Sequence, residues 1–292
     1  PPLSRARFPF AAPHLVDHLD REHREGPVKT TLDPAVQAIC ERVLASHRLR
    51  LRERGARQAA CVVIDNPTGE VLAWVGSLGW EPAAQGYNDG VLARRSAGSA
   101  VKPFAYATAL EQGLTLGTLL ADVNRTFATP LGDYDPQNFD RRENGPVLVR
   151  TALGSSLNQA AVELARLTGV EPIGHLLARV ALLDPARDPA ELGLGIVIGN
   201  VEITLLDLAA AFAALARGGV WKRPIVLANQ TTTAGRQVVQ PDVAYLVGDV
   251  LADPAARLLT FGTVRAFQFP FPVALKTGTS TSFRDIGTGR RS

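Results

Sequence analysis

Methionine is absent from the 292 residues, cysteine occurs twice and lysine four times. Without a methionine, and opening on Pro1-Pro2, the sequence reads as a piece of a longer chain. No apolar run reaches the ~18 residues that a membrane-spanning helix needs, and no stretch has the pattern of a signal peptide. Two cysteines make no disulfide framework. Cys40 on a predicted helix and Cys61 in a predicted strand read as small core residues. Charge is nearly balanced, at a net +3, and no basic patch is interleaved with aromatics. Nucleic acid is therefore not the expected partner. His14 and His18 stand four residues apart, but no third ligand is spaced to join them. They read as solvated side chains rather than a metal site.

With 46% apolar residues, the chain can build one good-sized globular core. Residues 1–30 are proline-rich and read as a linker with a short helical patch around His14–Arg24. Asp33-Pro34 is a helix start, a capping side chain followed by proline at the first helical position. Val36, Ile39, Cys40, Val43 and Leu44 then share one face, and Gly55 ends the helix. Ala59–Asp65 and Glu70–Ser77 read as strands joined by the turn Asn66-Pro67-Thr68-Gly69. A helix is expected from Ser99 to Gln112, and two more flank residues 156–158. Residues 114–148 read as loop-rich. Thr204 with Asp207 resembles a capping box before Leu205–Arg217, and Pro241 opens a helix to about Leu251. Val273–Thr281 reads as a strand. Strands at both ends with helices between them predict an α+β fold.

Positive charge in this chain is mostly arginine. Two of the four lysines, Lys102 and Lys276, sit in short motifs, while Lys29 and Lys222 do not. Lysine can release its proton near neutral pH once perturbed, and arginine cannot. Ser99-Ala100-Val101-Lys102 places a hydroxyl and an amine one helical turn apart. Ser156-Leu157-Asn158 and Lys276-Thr277-Gly278-Thr279-Ser280 follow in that order. A serine hydroxyl needs an adjacent base to act as a nucleophile. Lys102 can be that base only when neutral, a state favoured by burial and by a second cation such as Lys276. Ser156 can relay a proton to a leaving amine, and Asn158 can hold Lys102 and a substrate amide. Gly278 permits close approach of a substrate backbone, while Lys276, Thr277 and Thr279 offer a charge and hydroxyls to a carboxylate. Singly, each motif has a plainer reading: Ser99 an N-cap, Lys102 a solvated lysine, Thr277–Thr279 an edge strand. Their conjunction in this order points to serine acyl transfer.

Residues 28–285 resemble the linker and transpeptidase domain of bifunctional (class A) penicillin-binding proteins, most of all the 1C type. The three motifs carry the likeness, with Val28–Asp33, Ala60–Gly76, Tyr87-Asn88, Ala93–Ser99, Pro136–Asp140 and Gly145-Pro146-Val147. The resemblance implies an antiparallel sheet packed by helices plus a helical subdomain, the fold shared with serine β-lactamases. It implies a linker over 1–58 leading from an N-terminal glycosyltransferase domain, a transpeptidase domain over 59–285 and an unstructured tail over 286–292. Ser99 would be acylated and Lys102 its base. Ser156 with Asn158, and Lys276 with Thr277 and Thr279, would complete the site. The Ser99 and Thr279 N–H groups would form the oxyanion hole. Peptidoglycan stem peptides ending in D-Ala-D-Ala would be donors, an amine the acceptor, and β-lactams inhibitors. No cofactor, metal or nucleic acid is implied. The setting would be the periplasmic face of the bacterial inner membrane, anchored through an N-terminal segment outside this chain.

Three departures stand out. Ala97 replaces the family's usual proline, and Glu143 stands near a usual aromatic. After Phe283-Arg284-Asp285, the run Ile286–Ser292 leaves the pattern, so two strands and a final helix are expected to be missing. The 59–77 hairpin and the 273–283 strand are then expected to belong to one sheet lacking its centre. A β-lactamase would add a glutamate with asparagine four residues on. Glu163, Glu171, Glu191 and Glu202 lack that partner. A β-lactam-sensing domain and an inactive fragment with intact motifs are the other readings.

Overall fold

The structure is a computed structural model that describes residues 11–22, 26–81, 85–129, 132–230 and 234–279. Its first half runs α1 (Pro13–Arg21), α2 (Pro34–Glu53), β1 (Cys61–Ile64), β2 (Val71–Val75) and β3 (Arg95–Ser96). A 3-10 turn (Gly98–Val101) leads into α3 (Lys102–Glu111), then β4 (Leu119–Asp122), β5 (Phe127–Thr129), β6 (Gly132–Tyr134) and β7 (Gly145–Leu148). The remainder is α4 (Val149–Gly154), α5 (Asn158–Thr168), α6 (Val170–Arg179), β8 (Glu202–Ile203), α7 (Leu205–Ala216), β9 (Val220–Trp221), β10 (Arg236–Gln237), α8 (Pro241–Ala252) and α9 (Leu258–Phe261). Helices and antiparallel strand pairs are mixed, as an α+β fold requires. The chain divides into two compact units, residues 1–93 with 204–213 and 222–234, and the rest.

In the first unit, Asp33 caps α2 by accepting from the Ala35 and Val36 N–H groups at 2.8 and 3.0 Å. β1 and β2 form the expected hairpin, Cys61 opposite Val75 and Val62 opposite Trp74. Leu15, Val71, Trp74 and Val91 make its buried core. The α2 face differs from expectation. Ile39 and Val43 are about half exposed, at 49% and 48%, and the buried residue is Gln37. Gln37 replaces a neighbouring strand. Its amide donates to the Trp74 carbonyl at 3.1 Å and accepts from the Trp74 N–H at 2.7 Å, satisfying both groups on the free side of β2. Cys40 on α2 and Cys61 on β1 are free thiols in contact, and burial, then Cys40, pushes the Cys61 thiol up to about 11. His14 is not solvated. It is buried, with Nε2 at 2.7 Å from the Gly86 carbonyl and its ring edge-on to Trp80.

The second unit is organised around α3, which is buried along nearly its whole length from Lys102 to Leu110. A helix apolar all round belongs at the centre of a bundle, and α5, α6 and α8 pack against this one. Residues 114–148 are more regular than their sequence suggests. β4 pairs antiparallel with β7, Asp122 opposite Gly145, and β5 pairs with β6.

Val273–Thr281 is not a strand over its described part. Residues 273–279 form no ladder, and no described strand pairs with them. Leu275 N–H instead donates to Leu251 O at the end of α8. The hairpin's one further pairing among the described residues is a bridge from Glu70 to Ile225, so the hairpin and residues 273–279 do not share a sheet there. Ser280, Phe283–Asp285 and 286–292 lie outside the described residues.

Replacing Gln37 with alanine strands a buried donor and acceptor on β2. We expect a loss of about 2 kcal/mol in denaturant unfolding of the Gln37→Ala variant, with chemistry in the second unit unchanged.

Candidate active site

Five of the residues singled out in the sequence converge in the second unit. Ser99 lies in the 3-10 turn and Lys102 starts α3, so the pair keeps its one-turn spacing. Lys102 is completely buried. Its Nζ donates to Ser156 O at 2.7 Å, Leu157 O at 3.0 Å and Asn158 Oδ1 at 2.7 Å. These three acceptors come from the bend between α4 and α5. The bend exists because Ser156 takes a left-handed conformation, φ 57°, a strain of ~1–3 kcal/mol. It turns the Ser156 and Leu157 carbonyls inward. The Ser156 hydroxyl accepts from Lys276 Nζ at 2.8 Å, and the same ammonium donates to Thr277 O at 2.8 Å. Lys102, Ser156, Asn158 and Lys276 therefore form one hydrogen-bonded chain. Ser99 Oγ is not part of it, since the donors of Lys102 are spent on the bend.

Two glycines let the third motif reach the first. Gly98 is left-handed, φ 54°, and a Cβ there would fall on the Thr279 backbone. At Gly278 a Cβ would stand 2.6 Å from Ala97 O and 3.2 Å from Ala100 Cβ. Side chains at either position would push residues 276–279 off the turn that holds Ser99. The Ala97 departure leaves this contact intact.

Electrostatics follow from the packing. Burial lowers the Lys102 pKa well below that of a free lysine, the Lys276 charge lowers it further, and Asp122 opposes both. Burial lowers Lys276 to about 7. Both amines are thus biased toward neutrality.

A cleft of about 600 Å³ opens onto these groups. Ser99, Ser156, Asn158, Thr277, Gly278 and Thr279 line it, joined by Ser96, Gln137 and Asn200. Phe139, Ile198 and Phe261 supply an apolar side. No carboxylate lines it among the described residues. Asn200 and Phe261 lie in no motif and were not foreseen, and Ser96, within the quoted block Ala93–Ser99, was given no role. Nor was a role given to Gln137 or Asn138, although both stand in a quoted block. Asn158 Nδ2 donates to Gln137 O at 2.8 Å, and Asn138 Oδ1 accepts from Asn158 N at 2.7 Å.

Comparison with known proteins points the same way. The family described as penicillin binding protein transpeptidase domain matches residues 59–292. Penicillin-binding protein 1C of Escherichia coli (strain K12) is 32% identical over 99% of this chain and 37% of its own length. Penicillin-binding protein 1A of Aquifex aeolicus is 33% identical over 78% of this chain and 32% of its own. The chain thus spans about a third of the length of these relatives. Among solved structures, penicillin-binding protein A from M. tuberculosis, an imipenem acyl-enzyme complex, superposes with TM-score 0.67. That match has 22% identity and covers 91% of this chain and 72% of the other. The likeness establishes a shared fold.

The depressed amine at Lys276 has a thermodynamic consequence. Between pH ~7 and ~10 the unfolded chain holds a proton there that the folded chain lacks, so folding stability rises with pH through that window. We expect Lys276→Met to flatten the rise in thermal midpoint across it. Lys102, shifted the same way, keeps a residual slope.

Proposed function

This chain belongs to the penicillin-binding protein transpeptidase family, and on that premise we propose that it forms a serine acyl-enzyme at Ser99 and cross-links peptidoglycan stem peptides. The observation that carries the reading is the buried Lys102, held by the Ser156–Asn158 bend one turn from Ser99.

In the proposed sequence, Lys102 sheds a proton, keeps two N–H bonds to the bend, and turns the freed lone pair to Ser99 Oγ. A general base often tightens onto its nucleophile only when substrate is bound. Ser99 Oγ attacks the carbonyl between the two terminal D-Ala residues, and its proton passes to Lys102. The oxyanion is received by the Ser99 and Thr279 N–H groups, which border the cleft. Loss of one such donor typically costs ~10²–10³ in rate. The C–N bond breaks, and the departing D-Ala amine takes the proton of the Ser156 hydroxyl, which Lys276 replaces across their 2.8 Å hydrogen bond. An acceptor amine from a second stem then attacks the ester, its proton passing back through Ser156 to Lys276, and Ser99 Oγ leaves with the proton held by Lys102, in ping-pong order. Lys276, Thr277 and Thr279 are assigned to the donor carboxylate.

The lining of the cleft supports transfer to an amine over hydrolysis, because its described residues offer no carboxylate to activate water. β-Lactams, which present a strained amide and a carboxylate, are the expected inhibitors. The domain is assigned to the periplasmic face of the inner membrane. No described helix is long and apolar enough to cross a membrane.

Fluorescent penicillin should label the peptide containing Ser99, and Ser99→Ala should abolish labelling. Lys102→Arg keeps the charge but cannot deprotonate, so acylation should fall at least ~10²-fold. Labelling that survives Ser99→Ala, or rapid turnover of penicillin, would refute the assignment.

A further inference from the structure

Helix α5 begins at Asn158 without a cap of its own, since the N-cap residue Leu157 contributes no side-chain bond. Its first N–H groups are nonetheless satisfied, by residues far away in sequence. Asn138 Oδ1 accepts from Asn158 N at 2.7 Å and from Gln159 N at 3.4 Å. Asp122 Oδ1 accepts from Ala160 N at 3.1 Å. Asp122 Oδ2 accepts from Asn138 Nδ2 at 2.7 Å, Asn144 Nδ2 at 2.6 Å and Asn144 N at 3.3 Å. Asn138 Nδ2 also reaches Arg142 O at 2.8 Å and Gln159 Oε1 at 3.2 Å. Asp122 is 0% exposed and Asn138 4%. A carboxylate at a helix N-terminus is favoured by the helix dipole. Full burial makes it dependent on every one of these donors.

We propose that Asp122 and Asn138 are positioning residues for acylation, capping α5 from outside and so fixing Asn158 and the Ser156–Leu157 carbonyls as the cradle of Lys102. The proposal rests on the reading of Lys102 as the base of Ser99. The charge of Asp122 adds a second effect, because it is the negative group acting on Lys102 against burial and Lys276. The groups acting on Lys102 are Lys276 from the 276–279 segment, Asp122 from β4, and the neutral Asn158 from α5. Along α3 stands Tyr106, whose hydroxyl burial and then Asp122 push up, keeping it neutral. Asp122 thus keeps the base from losing proton affinity altogether, and Asn138 transmits its position to the second motif.

The test uses the whole chain and two readouts. One is the rate of fluorescent-penicillin acylation against pH. The other is NMR titration of the lysine side chains, tractable with only four lysines to assign. Asp122→Asn should slow acylation at its optimum by about ten- to a hundredfold, the cost of a misplaced catalytic group. It should also move the acid limb of the profile, and the Lys102 titration, to lower pH. Asn138→Ala should slow acylation similarly and leave the limb in place, with the fold retained by circular dichroism. A Lys102 titration unchanged in Asp122→Asn overturns the proposal. Should that variant not fold, Asn138→Ala decides alone, and an unchanged rate overturns it. If the parent is not acylated yet the Lys102 titration moves as stated, the positioning network stands and the acyl-enzyme reading fails.

Discussion

Removing an ammonium from water is among the costliest steps a fold can take, and Lys102 takes it completely. Two responses are open to such a group. It can find acceptors for all its donors, or it can shed its proton. The site supplies means for both. Ser156 O, Leu157 O and Asn158 Oδ1 satisfy the charged form, while burial and the Lys276 charge favour the neutral one. A base poised between the two states is what serine activation near neutral pH calls for. The rest of the second unit serves that poise. The apolar α3 buries the amine, the strained Ser156 aims two carbonyls at it, and the Asp122–Asn138 cap holds the third acceptor in place.

The same constraint explains how the third motif is held. Residues 276–279 have no strand partner among the described residues, yet they are firmly placed. Gly98 and Gly278 let two backbones approach closer than any side chain would allow. Lys276 then closes the arrangement by bonding to Ser156 Oγ and Thr277 O. Contact with Ala97–Ala100 and with the hydroxyl of the second motif does here what a hydrogen-bonded ladder does in a sheet.

What was legible in the sequence had local causes. Asp33-Pro34 caps its helix with its own side chain, and the Thr204 hydroxyl accepts from the Asp207 N–H and donates to the Asp207 carboxylate within four residues. The hairpin turn is held by Asp65 and Thr68, three apart. Ser99 with Lys102 needed only helical spacing. Interactions across long separations were not legible. Gln37 belongs at a buried position because of Trp74, 37 residues on, and a periodicity argument instead favoured Ile39 and Val43. The β-branched run at 273–281 suggested a strand, but pattern alone cannot supply the neighbour that makes one. β4 and β7 escaped notice because each is four residues long, and β7 carries a proline.

Asp122 is the sharpest instance. In sequence it is one acid among many, at the end of a short strand in a stretch that reads as loop. Its meaning comes from donors at 138, 144 and 160, which only the fold assembles. A buried carboxylate that accepts from so many groups cannot be exchanged for an uncharged residue without orphaning several of them. In the proposed reaction the motif residues touch the chemistry, and they are recognisable by type. The groups that make those residues work are ordinary side chains in unusual surroundings. The short motifs therefore point to the proposed reaction class, and the network behind them acts on the proton affinity of Lys102 through Asp122.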